Sequence, residues 1–129
     1  MLKDQFFTIT GEEPAEAGIA NGKRSVYSIE LDPAHSIYQG HFPDNPVVPG
    51  VCQVEIIREL LGITLQKEMQ MVKADNIKYL SMINPMEQTQ LRVELEARPK
   101  NGDQTDVNAT ISAGTTIFLK FKGQFIPEA

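Results

Sequence analysis

Only one stretch of this chain has the periodicity of a long helix. It begins near Gly50 or Val51 and closes by Met69 and Met71. Within it Val54, Ile57, Leu61 and Leu65 recur at spacings of three and four. Ile56, Leu60 and Ile63 broaden the apolar surface beyond one stripe. A helix that is apolar on most sides has to be covered on most sides. The remainder of the chain must supply that cover, and it is patterned as strand.

The last third alternates most regularly. Leu91, Val93, Leu95 and Ala97 oppose Arg92, Glu94, Glu96 and Arg98. Val107, Ala109 and Ile111 oppose Asp106, Asn108, Thr110 and Ser112; Ile117, Leu119, Phe121 and Phe125 oppose Lys120, Lys122 and Gln124. Asn101-Gly102 and Gly114 mark the turns between these runs, so the spacing predicts a three-strand meander with one wet face. Upstream, Gln5 to Thr10 and Lys23 to Leu31 are expected strands, and Gly11 to Gly22 a connection. Asp32-Pro33 ends the second strand, and His35 to Gly50 follows as a long loop stiffened by Pro43, Pro46 and Pro49. Val72 to Leu80 is a further expected strand, and Asn84-Pro85 a turn. Five or six antiparallel strands around one helix make an α+β arrangement in a single domain, residues 1–129.

Composition narrows the function classes. No apolar run approaches the roughly 18 residues of a membrane span, and the first residues lack the apolar core of an export signal. One cysteine, Cys52, excludes an internal disulfide. These features predict a cytoplasmic protein with no membrane association. Twelve Lys and Arg against 17 Asp and Glu leave a net charge of −5, which disfavours a nucleic-acid binder.

The chemistry-bearing residues cluster around the start of the helix. His41 sits on the stiffened loop, and histidine gives and takes protons near neutral pH. It reads equally as a loop histidine bonded to a backbone carbonyl. Glu55 lies about one and a half turns into an otherwise apolar helix, where burial raises a carboxyl pKa and makes a proton donor. The alternative is a helix-edge glutamate paired with Arg58. Gly50 stands at the first turn, where N–H groups lack intrahelical partners and can face a carbonyl oxygen gaining negative charge. The alternative is a plain helix start after Pro49. Cys52 reads as a small core residue rather than a nucleophile. The spacing of His35, His41 and Glu55 matches no recognised metal motif, so no metal is expected.

The run GHFPDNPVVPGVCQVE resembles the signature of the 3-hydroxyacyl-acyl-carrier-protein dehydratases of fatty acid synthesis, the FabZ and FabA type. The matching residues are His41-Phe42-Pro43, Pro46, Pro49-Gly50 and Glu55. IKYLSMINPMEQTQLRVEL and the meander extend a weaker similarity over most of the chain. The resemblance implies a hotdog fold, a curved antiparallel sheet wrapped around one long helix. It also implies a homodimer or trimer of dimers, with the histidine of one subunit facing the glutamate of the other.

By that resemblance, His41 takes the proton from C2 of a 3-hydroxyacyl thioester. Glu55 protonates the leaving 3-hydroxyl, the Gly50 N–H polarises the thioester carbonyl, and Phe42, Pro43 and Pro49 support the loop. The substrate is linked to an acyl carrier protein or CoA, and no cofactor is implied. Three residues depart from the family pattern: Asp44 for glycine, Glu59 for glutamine and Met86 for glycine. They suit a specialised relative. A hotdog thioesterase is an alternative from another enzyme class, and Asp44 and Glu59 motivate a further one, a non-catalytic acyl-binding or scaffolding subunit. Lys78, Lys120 and Lys122 are candidates for a local basic patch that docks an acidic carrier.

Overall fold

In the computed structural model, which describes residues 2–16, 22–40 and 46–128, one long helix lies against an antiparallel sheet. The strands are β1 (Phe7–Glu16), β2 (Lys23–Leu31), β3 (Met69–Tyr79), β4 (Gln90–Pro99), β5 (Thr105–Ala113) and β6 (Thr116–Pro127). The helix α1 (Gly50–Leu65) falls between β2 and β3. The six strands run β1-β2-β4-β5-β6-β3 across the sheet, and each neighbouring pair is antiparallel. This is the hotdog arrangement.

The alternation read from the sequence accounts for most of the core. Leu91, Val93, Leu95 and Ala97 of β4 and Val107, Ala109 and Ile111 of β5 are all buried. They meet Cys52, Ile56, Ile57, Leu60 and Leu61 of α1 in one apolar cluster. Gly102 and Gly114 take positive φ values of 69° and 59°, as the two hairpin turns require.

Four local expectations are corrected. Gly11 to Glu16 continues β1 rather than forming a connection, because β2 offers it a long pairing edge. Pro14 is tolerated there because β1 is an edge strand. In β6, Phe118 is buried and Ile117 is exposed, because the β5 register shifts between Ile111 and Ser112 and admits one extra residue. The helix stops at Leu65, short of Met69: Gln66 adopts a left-handed conformation and its N–H returns to the Gly62 and Ile63 carbonyls. The proline loop contains a 3-10 turn, Ser36–Gln39, capped by His35. Pro46 and Pro49 lie in the described part of that loop. His41, Phe42, Pro43 and Asp44 lie outside the described residues.

The sheet does not cover α1 on all sides. Val51 is 79% exposed, Ile63 is exposed, and Val54, Glu55, Arg58 and Gly62 are half-buried. Strand β3 is bonded to β6 on one side only and is exposed along nearly its whole length.

Candidate active site

The start of α1 is fixed from two directions. The Val48 N–H donates to the Ile83 carbonyl at 2.9 Å, pinning the extended arm before the helix. Gly50 then begins the helix beneath the ring of Tyr79, the last residue of β3. A Cβ at position 50 would lie 2.7 Å from the Tyr79 hydroxyl oxygen, so only glycine permits this approach. Gly50 borders a groove of about 460 Å³ with Val47, Val48, Gln53, Tyr79, Leu80, Ser81 and Met82. Tyr79, Leu80 and Met82 leave apolar surface exposed around it.

Gln53 lines this groove and was not marked by the sequence pattern. It is buried, and its Nε2 donates to the Val48 carbonyl at 3.3 Å. Its Oε1 has no hydrogen-bond partner among the described residues. The available signal was a polar side chain on the same side of α1 as Ile56 and Ile57.

Glu55 is held by Arg58. Arg58 Nε donates to Oε1 at 2.8 Å and Nη2 to Oε2 at 2.5 Å, while Nη1 donates to the Met69 carbonyl at 3.0 Å. The Arg58 hydrogen bond holds the Glu55 carboxyl below the usual carboxylate range, outweighing the effect of burial. The expectation that burial raises the Glu55 pKa is therefore corrected: its partner dominates. The raised carboxyl is Glu59, one turn on, pushed up first by its own burial and then by Glu55. Glu59 is only 4% exposed, and accepts from the Leu2 N–H at 3.1 and 2.9 Å and the Lys3 N–H at 2.9 Å. A second cavity, about 380 Å³, opens beside Arg58 and Glu59 and reaches Gly62, Ile63 and Met69.

Among the described residues, Glu55 and Gly50 lie on different sides of α1. Five residues of helix separate them by about 7.5 Å along the axis and roughly 140° around it. Gly50 faces Tyr79 and the first groove, while Glu55 faces Arg58 and the start of β3.

The other candidates have structural places. Cys52 is buried, and burial pushes its thiol pKa up, which keeps it a core residue. His35 Nδ1 accepts the Ile37 N–H at 3.1 Å, and its ring meets Phe6 edge-on. Among the described residues no three His, Cys, Asp or Glu side chains converge as a metal site. The structure does bring the three lysines together. Lys78 and Lys120 are register partners, Lys122 pairs with Asn76, and all three are exposed on the side of the sheet away from the core. No helix among the described residues is long and apolar enough to cross a membrane.

Three comparisons with known proteins bear on these features. The profile of the ApeI-like family, described as ApeI dehydratase, matches residues 18–116. The curated relatives include 3-hydroxyacyl-acyl-carrier-protein dehydratase FabZ of Caldanaerobacter subterraneus, which is 28% identical over 61% of this chain and 61% of its own length. FabZ of a Geobacillus species is 30% identical over 60% of this chain and 58% of its own length. The chain thus spans about three fifths of the length of these relatives.

Among solved structures, the dehydratase heterocomplex ApeI:P from Xenorhabdus doucetiae superposes with a TM-score of 0.63 at 16% identity. That match covers 92% of this chain and 96% of the other. A thioesterase variant of Pseudomonas aeruginosa has a TM-score of 0.52 at 10% identity, covering 88% of this chain and 81% of the other. These structures share the fold.

Proposed function

The chain belongs to the ApeI-like dehydratase family, and from that premise we propose that it removes water from a 3-hydroxyacyl thioester to give the trans-2-enoyl thioester. His41 takes the C2 proton, and the electron pair left behind forms the C2–C3 double bond as the C3–O bond breaks. Glu55 delivers a proton to the departing hydroxyl, which leaves as water. The Gly50 N–H stabilises the thioester oxygen while negative charge resides there. Phe42, Pro43 and Pro49 hold the loop that carries His41.

The observation that carries this reading is the position of Glu55. It is a half-buried carboxylate on the one face of an otherwise buried helix that the chain's own sheet leaves open. Its angular separation from Gly50 supports a site completed by a second chain, with the histidine and glycine of one subunit facing the glutamate of the other. The exposed edge of β3, with Met71, Val72 and Tyr79 showing apolar surface, supports a second copy as that partner. The Xenorhabdus heterocomplex makes a related but different chain the alternative, and native mass of the purified protein separates the two.

The substrate arrives on an acyl carrier protein, as the names of the curated relatives suggest. Lys78, Lys120 and Lys122 supply local positive charge for an acidic carrier on a chain whose total charge is −5. The thioesterase reading shares the fold but not the reaction. A 2-enoyl thioester offered to the protein loses its enoyl ultraviolet absorbance on hydration, whereas a thioesterase releases free thiol. Thiol release without hydration rejects the proposal.

A further inference from the structure

We propose that Arg58 is a positioning residue for the Glu55 carboxylate, an inference that rests on Glu55 being the proton donor of the site. One guanidinium engages both carboxylate oxygens, at 2.8 and 2.5 Å. Such a planar fork fixes the direction of a carboxylate as well as its charge, which a single ammonium cannot do. The fork is itself held, because Nη1 donates to the carbonyl of Met69 at 3.0 Å. Met69 is the buried first residue of β3, so the clamp is tied to the sheet and not only to its own helix. The last residue of the same strand, Tyr79, covers Gly50. Strand β3 thereby sets the placement of both site elements that α1 carries.

Arg58 and, more weakly, the N-terminal amino group are the cations that act on Glu55. On α1, Glu59 and the Cys52 thiol also act on Glu55. Glu59 turns its oxygens to the Leu2 and Lys3 amides. From beyond β6, Glu128 acts on Arg58. Removal of Arg58 therefore leaves two carboxyls one helical turn apart without the cation that engages both Glu55 oxygens.

The clamp has a chemical consequence. A carboxylate with both oxygens held by N–H donors is an acceptor; to donate a proton it must first take one up on a lone pair that Arg58 leaves free, and the cation beside it makes that uptake costly. Arg58 thus favours the ionised form of Glu55 in the resting site. That form suits addition of water to the enoyl thioester, whereas dehydration starts from the form with the proton on Glu55.

Steady-state kinetics of Arg58→Gln, Arg58→Lys and Glu55→Gln across pH test this, with urea unfolding as a control for folding. Arg58→Gln is expected to lower kcat about tenfold to a hundredfold and to leave KM within about a factor of three. It should also move the acid limb of the kcat profile upward, since the Glu55 carboxyl loses its cation. Arg58→Lys, which keeps the charge but not the fork, is expected to fall between wild type and Arg58→Gln. Wild-type kcat and acid limb in the folded Arg58 variants, with Glu55→Gln inactive, overturn the positioning role alone. Should Arg58→Gln not fold, wild-type behaviour of Arg58→Lys overturns that role equally. Wild-type turnover in Glu55→Gln overturns the role of Glu55 itself.

Discussion

Tyr79 closes over Gly50 so tightly that a Cβ on residue 50 would lie 2.7 Å from the tyrosine hydroxyl and 2.8 Å from Cζ. The contact joins the end of an edge strand to the first turn of the helix, where N–H groups point away from the helix body. The free edge of β3 thus ends at the mouth of the groove beside Gly50.

Gly50→Ala should therefore fold and work poorly. Tyr79 is 51% exposed, so its ring can swing aside at a cost of about 1 kcal/mol or less. The displaced ring and the added methyl then occupy the space a thioester oxygen needs, and kcat should drop tenfold or more. Urea unfolding and enoyl-thioester kinetics on the same preparation check both parts. A variant with wild-type kcat removes Gly50 from the site.

The two neighbouring glutamates of α1 should contribute to stability with opposite pH dependence. Arg58 holds Glu55 below its unfolded pKa, so its contribution is present above the ordinary carboxylate range and is lost as pH falls through the folded value. Burial raises Glu59, so its contribution is present below the unfolded pKa and is lost as pH rises through the folded value. Urea unfolding from about pH 3 to pH 7 should show the advantage of wild type over Glu55→Gln growing with pH. The Glu59→Gln variant should gain on wild type over the same range. Parallel curves for all three proteins contradict the assignment.

If the lysines dock the carrier, charge reversal should separate carrier from CoA. Lys120→Glu places an acid opposite Lys78 in the β3–β6 register. It should raise KM for a carrier-linked substrate several-fold, with strong dependence on salt. KM for the CoA analogue should stay near wild type. Equal effects on both substrates indicate a general defect and remove the docking role.

A site divided between subunits predicts complementation. His41→Ala and Glu55→Gln should each be inactive alone. Mixed and allowed to exchange subunits, they should recover roughly a quarter of the wild-type sites, because half of a random mixture is heterodimer and each heterodimer carries one intact site. Continued inactivity of a mixture shown by native mass to contain heterodimers places both residues in one chain.

Most of the fold was legible because its signals are local. Alternation in β4 and β5 survives into the structure residue for residue, since each strand has one buried face and a one-residue slip would expose it. Phe118 and the extension of β1 were not legible. Both are set by the register of the partner strand, β5 in one case and β2 in the other, which the pattern within the strand itself does not record. The apolar pattern of α1 marked Ile57 and Leu61 but could not show that Val51, Ile63 and Glu55 would share an open face. Glu55 itself stands out as a lone acid in an apolar run. Its ionisation does not follow from burial, because the deciding contact is a fork anchored on the Met69 carbonyl. Glu59 stands out in the sequence only as a departure from a family pattern; its partners, the Leu2 and Lys3 amides, lie more than fifty positions away.

The most direct test of dehydratase chemistry is the ultraviolet absorbance of an enoyl thioester. Purified protein is mixed with a short 2-enoyl carrier-protein thioester and, separately, with its CoA analogue, alongside His41→Ala and Glu55→Gln. Loss of enoyl absorbance with wild type, none with either variant, and no free thiol is the predicted result. A folded wild-type protein that leaves the absorbance of both substrates unchanged, or that releases thiol instead, contradicts it.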